Sequence, residues 1–200
     1  MAISLTKGQR INLSKDGGGG LTKVRVGLGW DQVSEKKGGF FKKLVSTAAE
    51  IDCDASVLML DSNDKLAGNE AIVYYGRLKS PDGSVVHQGD NLTGAGEGDD
   101  EVVVVDLPKV PDTYQKLVFV VNIYQAKARN QHFGMIENAF IRVVDDTSNK
   151  ELCKYQLTEN HANETALIVG ELYRGDGGWK FGAIGQGTTD DSLQQVARRY

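Results

Sequence analysis

The fifteen residues "HQGDNLTGAGEGDDE", His87 to Glu101, hold five carboxylates (Asp90, Glu97, Asp99, Asp100 and Glu101) and neither lysine nor arginine. Carboxylates packed this closely repel one another and resist desolvation. They either splay into water or are drawn together by a cation. The donors on offer are oxygens, which favours a hard ion. Calcium takes about six to eight oxygens in adaptable geometry and suits such a loop better than magnesium, which prefers a stricter octahedron and keeps its waters. Gly94, Gly96 and Gly98 let the backbone adopt positive φ and turn carbonyls towards an ion. The segment from Asp90 to Glu101 has the twelve-residue length of an EF-hand loop, but Leu92, Gly94 and Ala95 occupy its third, fifth and sixth positions. Its flanks also read as strands, so the EF-hand is excluded.

Two further sets of oxygens could join the loop. In "EIDCDASVLML", Asp52 and Asp54 alternate along a strand, so both project from one face about 7 Å apart, with Ser56 beside them. Ile51, Cys53, Ala55 and Val57 take the other face. "GLGWD" places Asp31 just after another strand. Nucleophilic catalysis has little to work with. His87, His132 and His161 lack the close spacing of a zinc site, and no serine or cysteine triad is apparent. His87 alone stands next to the acidic run. "GGGGLTKV" lacks the Lys-Ser/Thr ending of a phosphate loop and reads as a turn. Cys53 and Cys153 lie in apolar runs, which predicts two buried thiols of raised pKa rather than a disulfide or a reductant. The competing reading is a metal-dependent hydrolase of phosphorylated substrates using the same carboxylates, with an open water position on the metal.

The elements that must position these groups are mostly strands. "TKVRVGL" alternates Val24, Val26 and Leu28 against Lys23 and Arg25. "AIVYYGRL", "SVVH", "EVVVVDL", "KLVFVVNIY", "AFIRVVD", "ELCKYQL", "TALIVGELY" and "GWKFGAI" continue the series between turn signals such as "SPDGS" and "RGDGG". Unbroken apolar runs such as "LVFVV", and the "VVVV" after the acidic loop, predict strands buried on both faces. About ten strands predict a mostly β fold, an antiparallel β-sandwich. Two segments read as short helices: "FFKKLVSTAAE" and the C-terminal "TTDDSLQQVARRY". The latter has Thr and Asp as caps and Leu193, Val196, Ala197 and Tyr200 on one face. "KDGGGG" reads as a surface loop, and residues 1–200 as a single domain.

A net charge of −4 over 200 residues, with no basic patch, argues against nucleic acid as the main partner. No apolar stretch approaches the roughly 20 residues of a membrane span, and the start lacks the apolar run of a signal peptide, so the cytosol is expected.

Taken in order, "ISLTKGQRINL", "VGLGWD", "DCDASVLML", "SPDGSVVHQGDNLTGAGEGDDE", "NQHFGMIENAFIRVVD" and "ETALIVGELYR" resemble the TerD family of tellurite-resistance and stress-response proteins. The resemblance implies a cytosolic β-sandwich that binds one or two calcium ions through its acidic segments. It also implies a sensor or scaffold role without catalysis. The partners implied are other Ter proteins and a membrane-embedded one, through which the chain would reach the inner face of the membrane. Carried over residue by residue, the ligands it implies are Asp31, Asp52, Asp54, Asp90, Asn91, Glu97, Asp99, Asp100 and Glu101. Ile51 and Cys53 depart from the usual Phe and Leu of that strand, on the face turned away from the ligands.

Overall fold

The computed structural model describes residues 2–13, 21–32, 51–89, 98–157, 159 and 161–200. Among these residues twelve strands form: β1 (Ile3–Leu5), β2 (Arg10–Asn12), β3 (Lys23–Gln32), β4 (Cys53–Leu60), β5 (Ile72–Val73), β6 (Val85–His87), β7 (Glu101–Asp106), β8 (Lys116–Ile123), β9 (Ile136–Asp145), β10 (Lys150–Gln156), β11 (Ala166–Gly175) and β12 (Gly178–Thr188). They build two six-stranded sheets. The first runs β1-β10-β9-β3-β7-β6 and the second β2-β12-β11-β8-β4-β5. Every strand pair is antiparallel apart from β1, which lies parallel to β10 with Ile3 opposite Cys153. The antiparallel sandwich is therefore the observed architecture, with one parallel edge. Strands β1 and β2 are too short for an alternation of apolar residues to announce them.

The alternation in the sequence decides which side chains enter the space between the sheets. Val24, Val26 and Leu28 of β3 and Val103 and Val105 of β7 meet Cys53, Ala55 and Val57 of β4 and Leu117, Phe119 and Val121 of β8 in the main core. The unbroken run of β8 is explained by a second cover. Val118 and Val120 face the other way, against Leu58, Leu60, Leu193 and Val196. The last two belong to a short helix, α2 (Leu193–Ala197), packed on the outside of the second sheet. "VVVV" differs from expectation: Val103 and Val105 are buried but Val102 and Val104 are only half-buried, and among the described residues no helix packs on the outside of the first sheet there.

The C-terminal helix forms with Leu193, Val196 and Ala197 buried as its periodicity requires. Its cap is Ser192, whose hydroxyl accepts from the Gln195 amide at 3.4 Å. Thr188 and Asp190 instead bond to each other, hydroxyl to carboxylate, at 2.8 Å. A second one-turn helix, α1 (Ala126–Arg129), follows β8. The helix expected in "FFKKLVSTAAE" and the loop "KDGGGG" lie outside the described residues. No helix among the described residues is long and apolar enough to cross a membrane.

Phe119 is one of the two phenylalanines among the largest fully buried side chains of this core and is 1% exposed. Phe119→Ala is expected to cost about 3–5 kcal/mol, a value read from the midpoint of a urea unfolding curve.

Candidate cation site at the acidic end

Residues Gly98 to Asp100 do not project as a free loop. They lie against the face of β3, and the glycines of "GLGWD" are what allow it. A Cβ at Gly29 would stand 2.8 Å from the Gly98 carbonyl and 2.5 Å from the Phe140 ring. A Cβ at Gly27 would stand 2.2 Å from the carboxylate of Asp99. Gly98 itself has φ of +132°, a conformation that side chains rarely adopt. Asp100 then continues the β3–β7 ladder past Leu28. Its amide donates to the Leu28 carbonyl at 2.8 Å, and its carboxylate accepts the Trp30 amide at 2.7 Å.

Each acid of this segment has a different fate. Asp99 accepts two hydrogen bonds from one guanidinium, Arg142 Nε at 2.7 Å and Nη2 at 3.0 Å, while Arg142 Nη1 also reaches Glu151 at 3.0 Å. Arg142 stands opposite Gly27 in the β3–β9 register, so the missing side chain on one strand makes room for the ion pair on the other. Glu101 points into the sandwich. Its Oε2 lies 2.8 Å from Nε2 of His87, and both side chains are 1% exposed. His87 Nδ1 accepts the Gly89 amide at 3.2 Å, which leaves the ring proton on Nε2, towards Glu101.

Asp100 opens instead on a groove of about 790 Å³ that it shares with Trp30, Asp31, Gly98, Glu137 and Asn138. A bulge shapes this groove. The β3–β9 register slips between Gly29 and Asp31, and Asn138 opposite adopts φ of +57°. Its side-chain amide donates to Asp31 at 2.8 Å. Asp31 thus has a neutral partner in Asn138. Burial pushes the Asp100 carboxyl above its ordinary pKa; the Trp30 hydrogen bond works against this, and the charges of Asp31 and Asp99 add to it. Glu159 at the far end of the groove is paired with Lys7 at 2.6 Å.

Asp52 and Asp54 belong to the other sheet. Asp54 is buried on the outer face of β4 together with Ser56, as the alternation predicts, while Asp52 precedes the strand 3.9 Å from Arg129. The two groups of acids still share one end of the sandwich. Burial holds the thiol of Cys53 well above its ordinary pKa, and Asp54, Asp52, Asp100 and Glu101 all add to that shift. Cys153 is pushed up to about 12 by burial. Both cysteines are free and buried, as their apolar settings predict.

Of the nine expected ligands, Asp90, Asn91 and Glu97 lie outside the described residues. Asp31 and Asp100 face one groove, whereas Asp99 and Glu101 are engaged by Arg142 and His87. Among the described residues no three His, Cys, Asp or Glu side chains converge on one point. An ion at Asp31 and Asp100 would complete its shell with carbonyl, amide and water oxygens, a mixture calcium accepts. Sequence reasoning missed Arg142, Asn138 and Glu137. The one signal available for Arg142 was an arginine in the apolar strand "AFIRVVD".

A family profile described as TerD domain matches residues 1–200. The chain belongs to the TerD family. It is 56% identical over 201 residues to "Stress response protein SCP2" of Bacillus subtilis (strain 168), covering 100% of both chains. It is 45% identical over 200 residues to "Tellurium resistance protein TerD" of Serratia marcescens, covering 100% of this chain and 97% of that one. A crystal structure of a TerD homologue from Streptomyces coelicolor A3(2) superposes with a TM-score of 0.62 over 88% of this chain and 95% of that one. At 21% identity it shows the fold alone. Several TerD-family relatives, among them TerD and TerZ of Serratia marcescens, carry names in tellurium resistance, while others are named for stress or for chemical damage.

Gly27→Ala forces its methyl into a carboxylate pinned by two hydrogen bonds. It is expected to cost about 1–3 kcal/mol in denaturant unfolding and to release Arg142. His87→Ala leaves the Glu101 carboxyl facing a void in the core. Its expected cost is about 3 kcal/mol by the same measurement.

Proposed function

We propose that this TerD-family protein is a calcium-responsive, non-catalytic sensor or scaffold of stress and tellurite resistance. The observation that carries the reading is the pairing of Asp31 and Asp100. Two carboxylates face one groove, one of them buried and held above its ordinary pKa by burial and by neighbouring negative charge. A divalent cation relieves that charge, and oxygen-only donors beside a glycine backbone suit calcium. Glu97, next to Gly98, and Asp90 and Asn91 earlier in the same run extend the supply of oxygens.

Binding to the folded state alone stabilises it by RT ln(1+[L]/Kd), about 2.7 kcal/mol at a hundredfold excess over Kd. In this reading the ion removes repulsion at the acidic end and fixes the surface around Gly98 to Asp100. That surface then recognises other Ter proteins and a membrane-embedded partner. The hydrolase alternative asks Asp99 to hold a metal, but both of its oxygens already accept from Arg142.

Two outcomes test the proposal. Calorimetry is expected to show heat of calcium binding, and thermal melts to shift upward in calcium against chelator; identical melts and no heat would remove the calcium reading. Asp100→Asn keeps an acceptor for the Trp30 amide but removes the charge. It is expected to abolish the calcium shift and to melt higher than the wild type in chelator. The sign follows from the raised pKa. A folded state that holds a carboxyl above its unfolded value disfavours ionisation, so the penalty is full above the folded pKa and vanishes as pH falls through it. The difference in chelator between variant and wild type should therefore close on acidification.

A further inference from the structure

The outer face of the second sheet carries a cavity separate from the Asp31–Asp100 groove, lined by Asp54, one of the carboxylates that the family resemblance implies as calcium ligands. Its volume is about 450 Å³, and it lies between β4, β8 and the residues leading into α2. Asp54, Ser56 and Asn122 line its floor, and Tyr74, Tyr75 and Tyr124 contribute to its walls. Asp54 and Asn122 are cross-strand partners, and Ser56 follows Asp54 on the same face of β4.

Two floor atoms have no hydrogen-bond partner among the described residues: Ser56 Oγ, on a residue 1% exposed, and Asn122 Oδ1, on a residue 8% exposed. Leaving such a group buried and unpaired costs about 1–3 kcal/mol. The orientation of Asn122 is set by its neighbour. Nδ2 faces Asp54 Oδ2 at 3.5 Å, and turning the amide over would bring two oxygens together. That contact orients the amide, and its carbonyl oxygen is left as an acceptor with no partner among the described residues.

We propose that this cavity binds a small organic amine as its ammonium ion. The floor presents a carboxylate, an amide oxygen and a hydroxyl, and an –NH3+ group carries three donors and no acceptor. The surrounding tyrosine rings suit the methylene chain next to such a group, and their faces attract cations. Arg129 already shows this preference from outside, with its guanidinium 5.1 Å from the centre of the Tyr124 ring. No lysine or arginine lines the cavity among the described residues. The burial of Tyr75 pushes its hydroxyl pKa up, and the charges of Asp54 and Asp52 add to that, which marks the negative potential an ammonium would meet. A hydrated metal ion is matched less well. Three floor oxygens fill half of a calcium shell or less, and the aromatic walls offer it nothing.

The test is an NMR titration of the full chain with 1-butylamine and 1,4-diaminobutane at neutral pH, in excess chelator so that calcium plays no part. Saturable shifts of the Asn122 side-chain amide and of the signals around Tyr75 are expected. 1-Butanol, which has the same chain without the charge, should leave them in place. Ser56→Ala should weaken the amines roughly tenfold through loss of one hydrogen bond to a charged group. It should also leave the melting temperature unchanged or higher, because it removes an unpaired buried hydroxyl. Tyr75→Ala, at an exposed position, should weaken binding without unfolding the chain. Equal response to butanol and butylamine would overturn the proposal. So would amine silence, whether or not calcium added without chelator moves these signals. Because the cavity shares no residue with the Asp31–Asp100 groove, failure of either reading leaves the other standing.

Discussion

One short crossing organises the acidic end of this protein: Gly98, Asp99 and Asp100 pressed against backbone that has no side chains in the way. The contact needs Gly27 and Gly29 on β3 and a strong ion pair to hold it down. Arg142 provides the latter by gripping both oxygens of Asp99 across the vacated position. A bidentate guanidinium–carboxylate pair fixes direction as well as distance. Asp99 is turned outward over Gly27, Asp100 opens on the groove, and Glu101, the first residue of β7, points into the core. Three consecutive acids therefore acquire three environments: ion-paired to Arg142, buried at the groove beside Asp31, and buried against His87. Sequence proximity alone suggested a common role for them. The fold separates them.

The same logic divides the remaining acids. Asp54 sits on the far side of the second sheet, beyond the core layer to which Cys53 belongs. Negative charge brackets that thiol from both sheets. A thiolate there would be desolvated and repelled at once, which keeps Cys53 protonated and poorly nucleophilic. Tellurite chemistry by direct reduction at this residue is thus opposed by the fold itself.

Much of the fold was legible because period-two patterning is strong in β3 and β4, and because "LVFVV" in β8 carries the mark of double cover. The face shared by Asp54 and Ser56 followed from the same rule. What stayed illegible depended on partners distant in the chain. Nothing local to "VVVV" says that its outer face is only half-buried. Nothing local to Arg142 says that a glycine on β3 stands opposite. The bulge that brings Asn138 to Asp31 is a register slip, a property of two strands together. His87 was singled out by its place beside the acids, but its burial against Glu101 required the β6–β7 pairing to be seen.

The parallel contact between β1 and β10 sets an order of events during synthesis. Ile3 emerges first and must wait for Cys153 before its strand has a neighbour. Strand β3 likewise waits for β7 and β9, and β2 for β12. Pairings that span so much chain carry a large loop-closure cost before any contact rewards it, which slows folding relative to local topologies. Strands β1 to β3 therefore have few native neighbours to bury against until the strands that follow them are in place.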